Sequence, residues 1–374
     1  MIKKMKIAFV YDAVYPYIKG GGEKRIYEIS RRLVRRGHEV HLFGIKWWEG
    51  SDVIEREGVF IHGVCSVKGL YKGEKRSIGE ALYFGAMVLR PLMRERFDVI
   101  DAGNFPYFPS FSCKIASIIK KTPLVITWHE VWEDYWYEYL GRKGFFGRVI
   151  ERLSARLPIS HIAVSSLTKN GLRSIGVPED KITVIPNGID FEYIRKISKS
   201  EEACDVLFAG RLIKDKNVDV LIDSISKMKN TTLCIIGDGP EKERLAARAE
   251  GLNLGGRIQF LGSMDYEEVM ARMKSAGVFV LPSTREGFGI VLLEAMAAGL
   301  SVISVKAKKS AASEIVDGDN GILCEMNELK ENIEKVLGDE GLREGRISKG
   351  FETSRGFDWD MVTDLAVKHL ESLT

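Results

Sequence analysis

The stretch DVLFAGRLIKDKNVDVLIDSISKMKNTTLCIIGDGP, residues 205–240, sets the reading of the whole chain. Two β-rich runs, Asp205–Ala209 and Thr232–Ile236, flank a segment of helical period, and each run ends in a glycine-bearing loop. Strand, helix, strand is the unit of a parallel sheet. The same alternation continues through Ile258–Leu261, Val278–Leu281 and Val302–Val305. It also precedes the stretch, in Met5–Tyr11, Glu39–Phe43, Asp98–Asp101, Leu124–Trp128, His161–Ser165 and Thr183–Ile185. Strands this apolar, separated by helices, are covered on both faces, which predicts an α/β chain with two Rossmann-like, doubly wound parallel-sheet domains facing a cleft.

Length supports the division. At 374 residues and 42.0 kDa the chain exceeds what one hydrophobic core usually organises. The best linker is Pro186-Asn187-Gly188 with the polar stretch Arg195–Glu202 after it. The predicted domains are therefore 1–190 and 191–356, with 357–374 a last helix that can pack back on the first domain.

Composition excludes several classes. With 45% apolar and 29% charged residues and 10 prolines, the chain is neither disordered nor fibrous. The greasy stretch Ile290–Val305 is too short to span a bilayer and is broken by Glu294, and MIKKMKIAFVYD lacks a signal-peptide core. A cytoplasmic protein is expected. Five scattered cysteines without a C-x-x-C pair argue against disulfides or a cysteine zinc site. A single glutamine, Gln259, beside abundant Lys, Glu and Ile is a thermophile-like habit. Net charge is +3, but residues 1–190 carry +9 and residues 191–374 carry −6. The basic half concentrates its charge in RRLVRRG (31–37), VLRPLMRERF (88–97) and RKGFFGRVIERLSARL (142–157), which read either as anionic-surface sites or as solvated helix faces.

Several motifs can carry chemistry. Gly20, Gly21 and Gly22 open a helix after the first strand and let backbone N–H groups approach an anion, or form only a flexible turn. The second strand, HEVHLFGIK, ends in Lys46 rather than an acid, which disfavours NAD. His129 closes the fourth strand at the carboxyl edge, facing ligand or packed among aromatics; HEVWE is not a zinc-protease HExxH. In FAGRLIKDKN, Arg211 and Lys216 can neutralise a diphosphate or be solvated loop charges.

STREGFGIVLLEAMAAG (283–299) points to the same place. From Gly289 to Ala298 it is apolar nearly all round except Glu294, so Glu294 is expected buried and in need of a partner, either ribose hydroxyls or a backbone donor. Glu286 stands eight residues earlier. Gly287 and Gly289 permit close ligand approach, and the amides of Phe288, Gly289, Ile290 and Val291 can face an anion. Asp317 and Asp319 form a D-x-D by letter only and read as turn residues, so no metal site is expected.

The order GGGE, strand-end His, IPNGID, GRLIKDK, GDGP, FLG and E-x7-E with AMAAG resembles the retaining, nucleotide-sugar-dependent glycosyltransferases of family 4, which have the GT-B fold. The resemblance covers nearly the whole chain. It implies that Arg211 and Lys216 hold the donor diphosphate, Glu294 the ribose and Glu286 the donor sugar. It further implies that Gly20–Gly22 lie near the phosphates, that Gly237 belongs to the donor site, and that His129 lines the reaction centre. No cofactor and no metal are implied, since Arg211, Lys216 and helix-terminal amides stabilise the leaving group. The partners implied are a nucleoside-diphosphate sugar and an unknown acceptor, lipid-linked or at an anionic membrane surface, with no nucleic acid; the enzyme is then cytoplasmic and peripheral on the membrane. Two departures stand out: Lys216-Asn217 where many members have Lys-Gly, and SAASE (310–314) where G-G-x-P-E is frequent. The competing readings are a glycoside hydrolase using two carboxylates, a sugar-nucleotide epimerase or phosphorylase on the same scaffold, and a non-catalytic nucleotide-sugar-binding protein.

Overall fold

A computed structural model describes residues 4–69, 71–72 and 75–374. The chain forms two compact units, Met1–Asn187 with Trp359–Thr374, and Gly188–Asp358.

The first unit contains β1 (Lys6–Val10), β2 (Glu39–Lys46), β3 (Val53–Arg56), β4 (Val59–Ser66), the short β5 (Tyr71–Lys72) and β6 (Lys75–Arg76), β7 (Val99–Gly103), β8 (Leu124–Trp128), β9 (Ser160–Ala163) and β10 (Ile182–Val184). Eight of these make one sheet in the order β10-β9-β8-β7-β1-β2-β4-β3. It is parallel except at β3–β4. Helices α1 (Gly21–Arg35), α2 (Ile78–Arg94), α3 (Phe108–Lys120), α4 (Tyr135–Leu140), α5 (Gly144–Ser154) and α6 (Ser166–Ser174) make the connections. Every residue of β7 and β8 is buried, as strands covered on both faces require. The strand order reverses between β1 and β7, so the carboxyl ends of these two strands flank the switch point where open α/β sheets take ligands. Strands β3 and β4 were not expected from the sequence.

The basic helices divide on inspection. In α1, Arg32 is only 3% exposed and pairs with Glu28, while Arg36 reaches Asp364 at 2.7 Å. Arg31 takes Glu28 at 2.7 Å. Arg31, Arg32 and Arg36 are thus engaged within the unit, while Arg35 of the same stretch is 63% exposed. In α5, by contrast, Phe145 and Phe146 are 56% and 69% exposed, and Arg142, Lys143 and Arg152 are exposed beside them.

The second unit contains α7 (Phe191–Lys196), β11 (Cys204–Ala209), α8 (Val218–Ser226), β12 (Leu233–Ile236), α9 (Lys242–Gly251), β13 (Ile258–Gly262), α10 (Tyr266–Ser275), β14 (Ala276–Leu281), β15 (Arg285–Glu286), α11 (Ile290–Ala297), β16 (Ser301–Val305), β17 (Lys309–Ser310), β18 (Ile322–Cys324), α12 (Leu329–Gly338) and α13 (Glu340–Arg355). Its main sheet runs β13-β12-β11-β14-β16-β18, all parallel. β15 and β17 form a separate two-stranded parallel ladder. The last helix, α14 (Trp359–Glu371), belongs to the first unit and packs on α1, with Trp359 fully buried. The five cysteines are free thiols. No helix among the described residues is long and apolar enough to cross a membrane.

Candidate active site

In the second unit the loop after β11 carries Arg211, exposed, and a short 3-10 turn, Lys214–Lys216. The turn ends on Asn217, whose φ of 48° is left-handed. Glycine is the usual occupant of that region and asparagine the side chain that best tolerates it, which accounts for Asn217 where Lys-Gly is frequent. Asn217 also does what glycine cannot. Its Nδ2 donates to Pro282 O at 3.0 Å and Thr284 Oγ1 at 3.1 Å, and the Thr284 amide donates to Asp215 O at 3.0 Å. The Lys216 turn is thereby tied to the segment leading into Glu286.

That tie brings two of the expected residues together. Lys216 Nζ donates to Glu286 Oε1, with the two side chains only 17% and 13% exposed. Glu286 is itself fixed in β15, in register with Ser310 of β17. The SAASE departure lies here: Ser310 Oγ accepts from the Ala312 amide at 3.3 Å, opening a 3-10 turn over Ala311–Glu314. Past Gly287 the chain buries Phe288 and turns at Gly289, φ 90°, into α11. Its N-cap residue is Gly289, which has no side chain to cap the first amides at Ile290 and Val291, and such amides can face an anion. Glu294 is 8% exposed amid the buried Leu292, Leu293, Ala295 and Met296.

Gly237 owes its identity to packing. At φ 130° a Cβ there would stand 2.0 Å from Gly210 O, and its N–H donates to Gly262 O at 2.7 Å. It locks the loops after β11, β12 and β13 together. Asp317 Oδ1 accepts from the amides of Asp319 and Asn320 at 3.0 and 3.1 Å, so this D-x-D is an Asx turn.

In the first unit Gly20 precedes α1 in extended conformation, Gly21 has open space around it, and Gly22 is crowded. A Cβ on Gly22 would lie 2.9 Å from the Tyr11 hydroxyl and 3.3 Å from His129 Nε2. The glycine turn and His129 are thus neighbours. His129 is half-buried, its N–H donates to Asn104 Oδ1 at 3.2 Å, and its carbonyl accepts from Thr168 Oγ1 at 3.3 Å. Burial, reinforced by the Arg25 charge, lowers its pKa to about 3, so the imidazole is uncharged at neutral pH. Beneath it lie Arg25, lowered by burial to about 10, and Asp101, raised by burial to about 7. Sequence reasoning missed both, and also Tyr11. Among the described residues Glu39, His41 and Glu95 could surround a cation, but Glu39 and His41 stand at the amino end of β2 and Glu95 at the end of α2, and Lys6 already bridges Glu39 at 2.7 Å and Glu95.

Two parallel-sheet units, one with a glycine turn beside a strand-end His and one with a Lys–Glu pair before α11, are the parts that the sequence resemblance implies. Residues 19–193 match Glycosyltransferase Family 4, and residues 190–353 match Glycosyl transferases group 1. An uncharacterized glycosyltransferase of Methanocaldococcus jannaschii is 32% identical over 365 residues, 96% of this chain and 95% of that protein. The chain belongs to the family 4, group 1 glycosyltransferases. A phosphatidyl-myo-inositol mannosyltransferase of Mycobacterium tuberculosis is 26% identical over 96% of both chains. Among solved structures, sucrose-phosphate synthase from Thermosynechococcus elongatus superimposes with a TM-score of 0.85 at 18% identity, covering 99% of each chain. Anabaena HepE in complex with UDP and glucose gives 0.79 at 23% identity, covering 98% of this chain and 100% of that one.

Proposed function

We propose that this protein is a retaining, metal-independent glycosyltransferase that moves a hexose from a nucleoside-diphosphate sugar to an acceptor hydroxyl. The observation that carries the reading is the Lys216–Glu286 pair immediately before α11, which sets a cation for phosphate beside a carboxylate for sugar hydroxyls. HepE, the structural relative bound to UDP and to UDP-glucose, supports the donor class. In this reading Arg211, Lys216 and the amides from Phe288 to Val291 take the charge of the departing diphosphate. The bond from the anomeric carbon to the phosphate oxygen breaks, the acceptor oxygen bonds on the same face, and its proton passes to the leaving phosphate. Glu294 takes the ribose and Glu286 the donor sugar, and His129 lines the reaction centre.

The test is a panel of UDP-, GDP- and ADP-sugars, read by thermal shift and by the anomeric configuration of product. A true donor at a hundredfold its Kd stabilises the fold by about 2.7 kcal/mol. Transfer persists in EDTA and keeps the donor's anomeric configuration. Loss on chelation restored by magnesium or manganese overturns metal independence, inversion overturns the retaining assignment, and donor-free glycoside hydrolysis selects a two-carboxylate hydrolase instead.

The acceptor in this reading is lipid-linked and the enzyme sits peripherally on an anionic membrane. The exposed Phe145 and Phe146 of α5 beside Arg142, Lys143 and Arg152 support it, since each basic residue near such a surface contributes on the order of 1 kcal/mol. A lipid-modifying mannosyltransferase among the relatives points the same way. The protein should co-sediment with anionic vesicles at low salt and release as salt rises, and Phe146→Ser should weaken binding. Indifference to anionic vesicles at low salt would sink the membrane reading and turn the search to soluble acceptors.

A further inference from the structure

Arg25 is 2% exposed on the fifth residue of α1. Its guanidinium donates to Asn187 Oδ1 at 3.1 Å and to the Pro186 carbonyl, the last two residues before the chain leaves the first unit. With Phe9, Asp101, Thr127 and His129 it lines a cavity of about 10 Å³ beneath the glycine turn. Asp101 faces it from β7, accepting from Thr127 Oγ1 at 2.8 and 3.0 Å, and Thr127 and His129 face it from β8 and its end. The hydrogen bonds found for Arg25 go to neutral acceptors. Its charge partner is the Asp101 carboxyl across the cavity, and a buried pair of this kind is often no more stable than an apolar filling of the same space. Its charge therefore calls for a role beyond packing.

We infer that Arg25 is a positioning residue for His129, its charge in the cavity that the two share and its hold on the Pro186–Asn187 segment setting the surroundings of the ring. The role rests on the proposed function only for its purpose, since the contacts hold whatever the substrate. The field of Arg25 adds to burial in keeping the imidazole uncharged. An uncharged ring both accepts and donates a hydrogen bond, as pairing with a sugar hydroxyl requires. A protonated one only donates, and it would place a positive charge beside an anomeric centre that itself becomes cationic in the transition state.

Arg25→Met and Arg25→Lys test this by NMR titration of labelled histidine, with His129→Gln used for assignment. In Arg25→Met the His129 midpoint rises by a pH unit or more; in Arg25→Lys, which keeps the charge, it stays low. In transfer assays Arg25→Met lowers kcat at least tenfold, leaves donor KM within twofold, and moves the acid limb of kcat upward in pH. A folded Arg25→Met protein whose His129 titrates as in the parent overturns the inference. If Arg25→Met does not fold, Asn187→Ala removes one acceptor of the guanidinium: a shifted His129 resonance supports the role and an unmoved one refutes it. The titration needs no substrate. An altered titration in the variant, with no transfer by the unmutated protein from any donor of the panel, would thus refute the proposed function and leave the positioning role standing.

Discussion

Lys216→Met will lower sugar transfer by about 100- to 1000-fold, the loss that follows removal of one preorganised group facing developing charge. Nucleoside diphosphate affinity falls with it by about 1.5–3 kcal/mol, the worth of hydrogen bonds to charged groups. The reason is local. Lys216 is 17% exposed, held by a turn that Asn217 ties to Pro282 and Thr284, which keeps its ammonium at Glu286. Methionine keeps the stem and deletes the charge, leaving Glu286, 13% exposed, without that partner. Calorimetry with UDP and GDP, beside initial rates, separates binding from turnover. Full activity in a folded Lys216→Met protein would remove Lys216 from the proposed site.

Gly237→Ala has the largest expected effect on stability. Its Cβ would meet Gly210 O at 2.0 Å in a backbone conformation, φ 130°, that side chains avoid. Strain of about 1–2 kcal/mol adds to overpacking of about 1–3 kcal/mol. For a unit of this size that is a fall in melting temperature of roughly 5–15 °C. Gly251→Ala is the matched control, because a Cβ there meets nothing within 4 Å and alanine favours the end of α9. A Gly237→Ala protein that melts like its parent but no longer binds nucleotide would give Gly237 a ligand role in place of a packing one.

Much of the fold was legible because buried parallel strands announce themselves as short apolar runs between helices. All eleven such runs fall on strands of the two main sheets, Leu124–Trp128 to the residue. What escaped was irregular. VFIHGVCS of β4 alternates poorly in burial, and the signal that would have found it is the two-residue turn before it, Glu57 and Gly58, both left-handed at φ 50° and 79°. The burial of Glu294 followed from the apolar helix around it. The meeting of Lys216 with Glu286 did not, because the two lie 70 residues apart and are joined by loops rather than by a periodic element. Arg25 was hidden by composition: nothing sets it apart among the many basic residues of the first half, and only packing shows it 2% exposed. Asn217 looked like a minor substitution until its left-handed backbone and its two bonds to the neighbouring loop were seen together.

The return of α14 to the first unit has a bearing on synthesis. Residues 188–358 are one uninterrupted segment, whereas the first unit is assembled from both ends of the chain. As the polypeptide emerges from the ribosome, the second unit holds all its strands and helices while the first still waits for the helix that covers α1 and buries Trp359. Domains tend to fold as units in the order they are made. Here all residues of the later-encoded unit are made before the earlier one is complete, and a nascent chain stalled short of Trp359 would carry every residue of the second unit and a first unit whose α1 still lacks its cover.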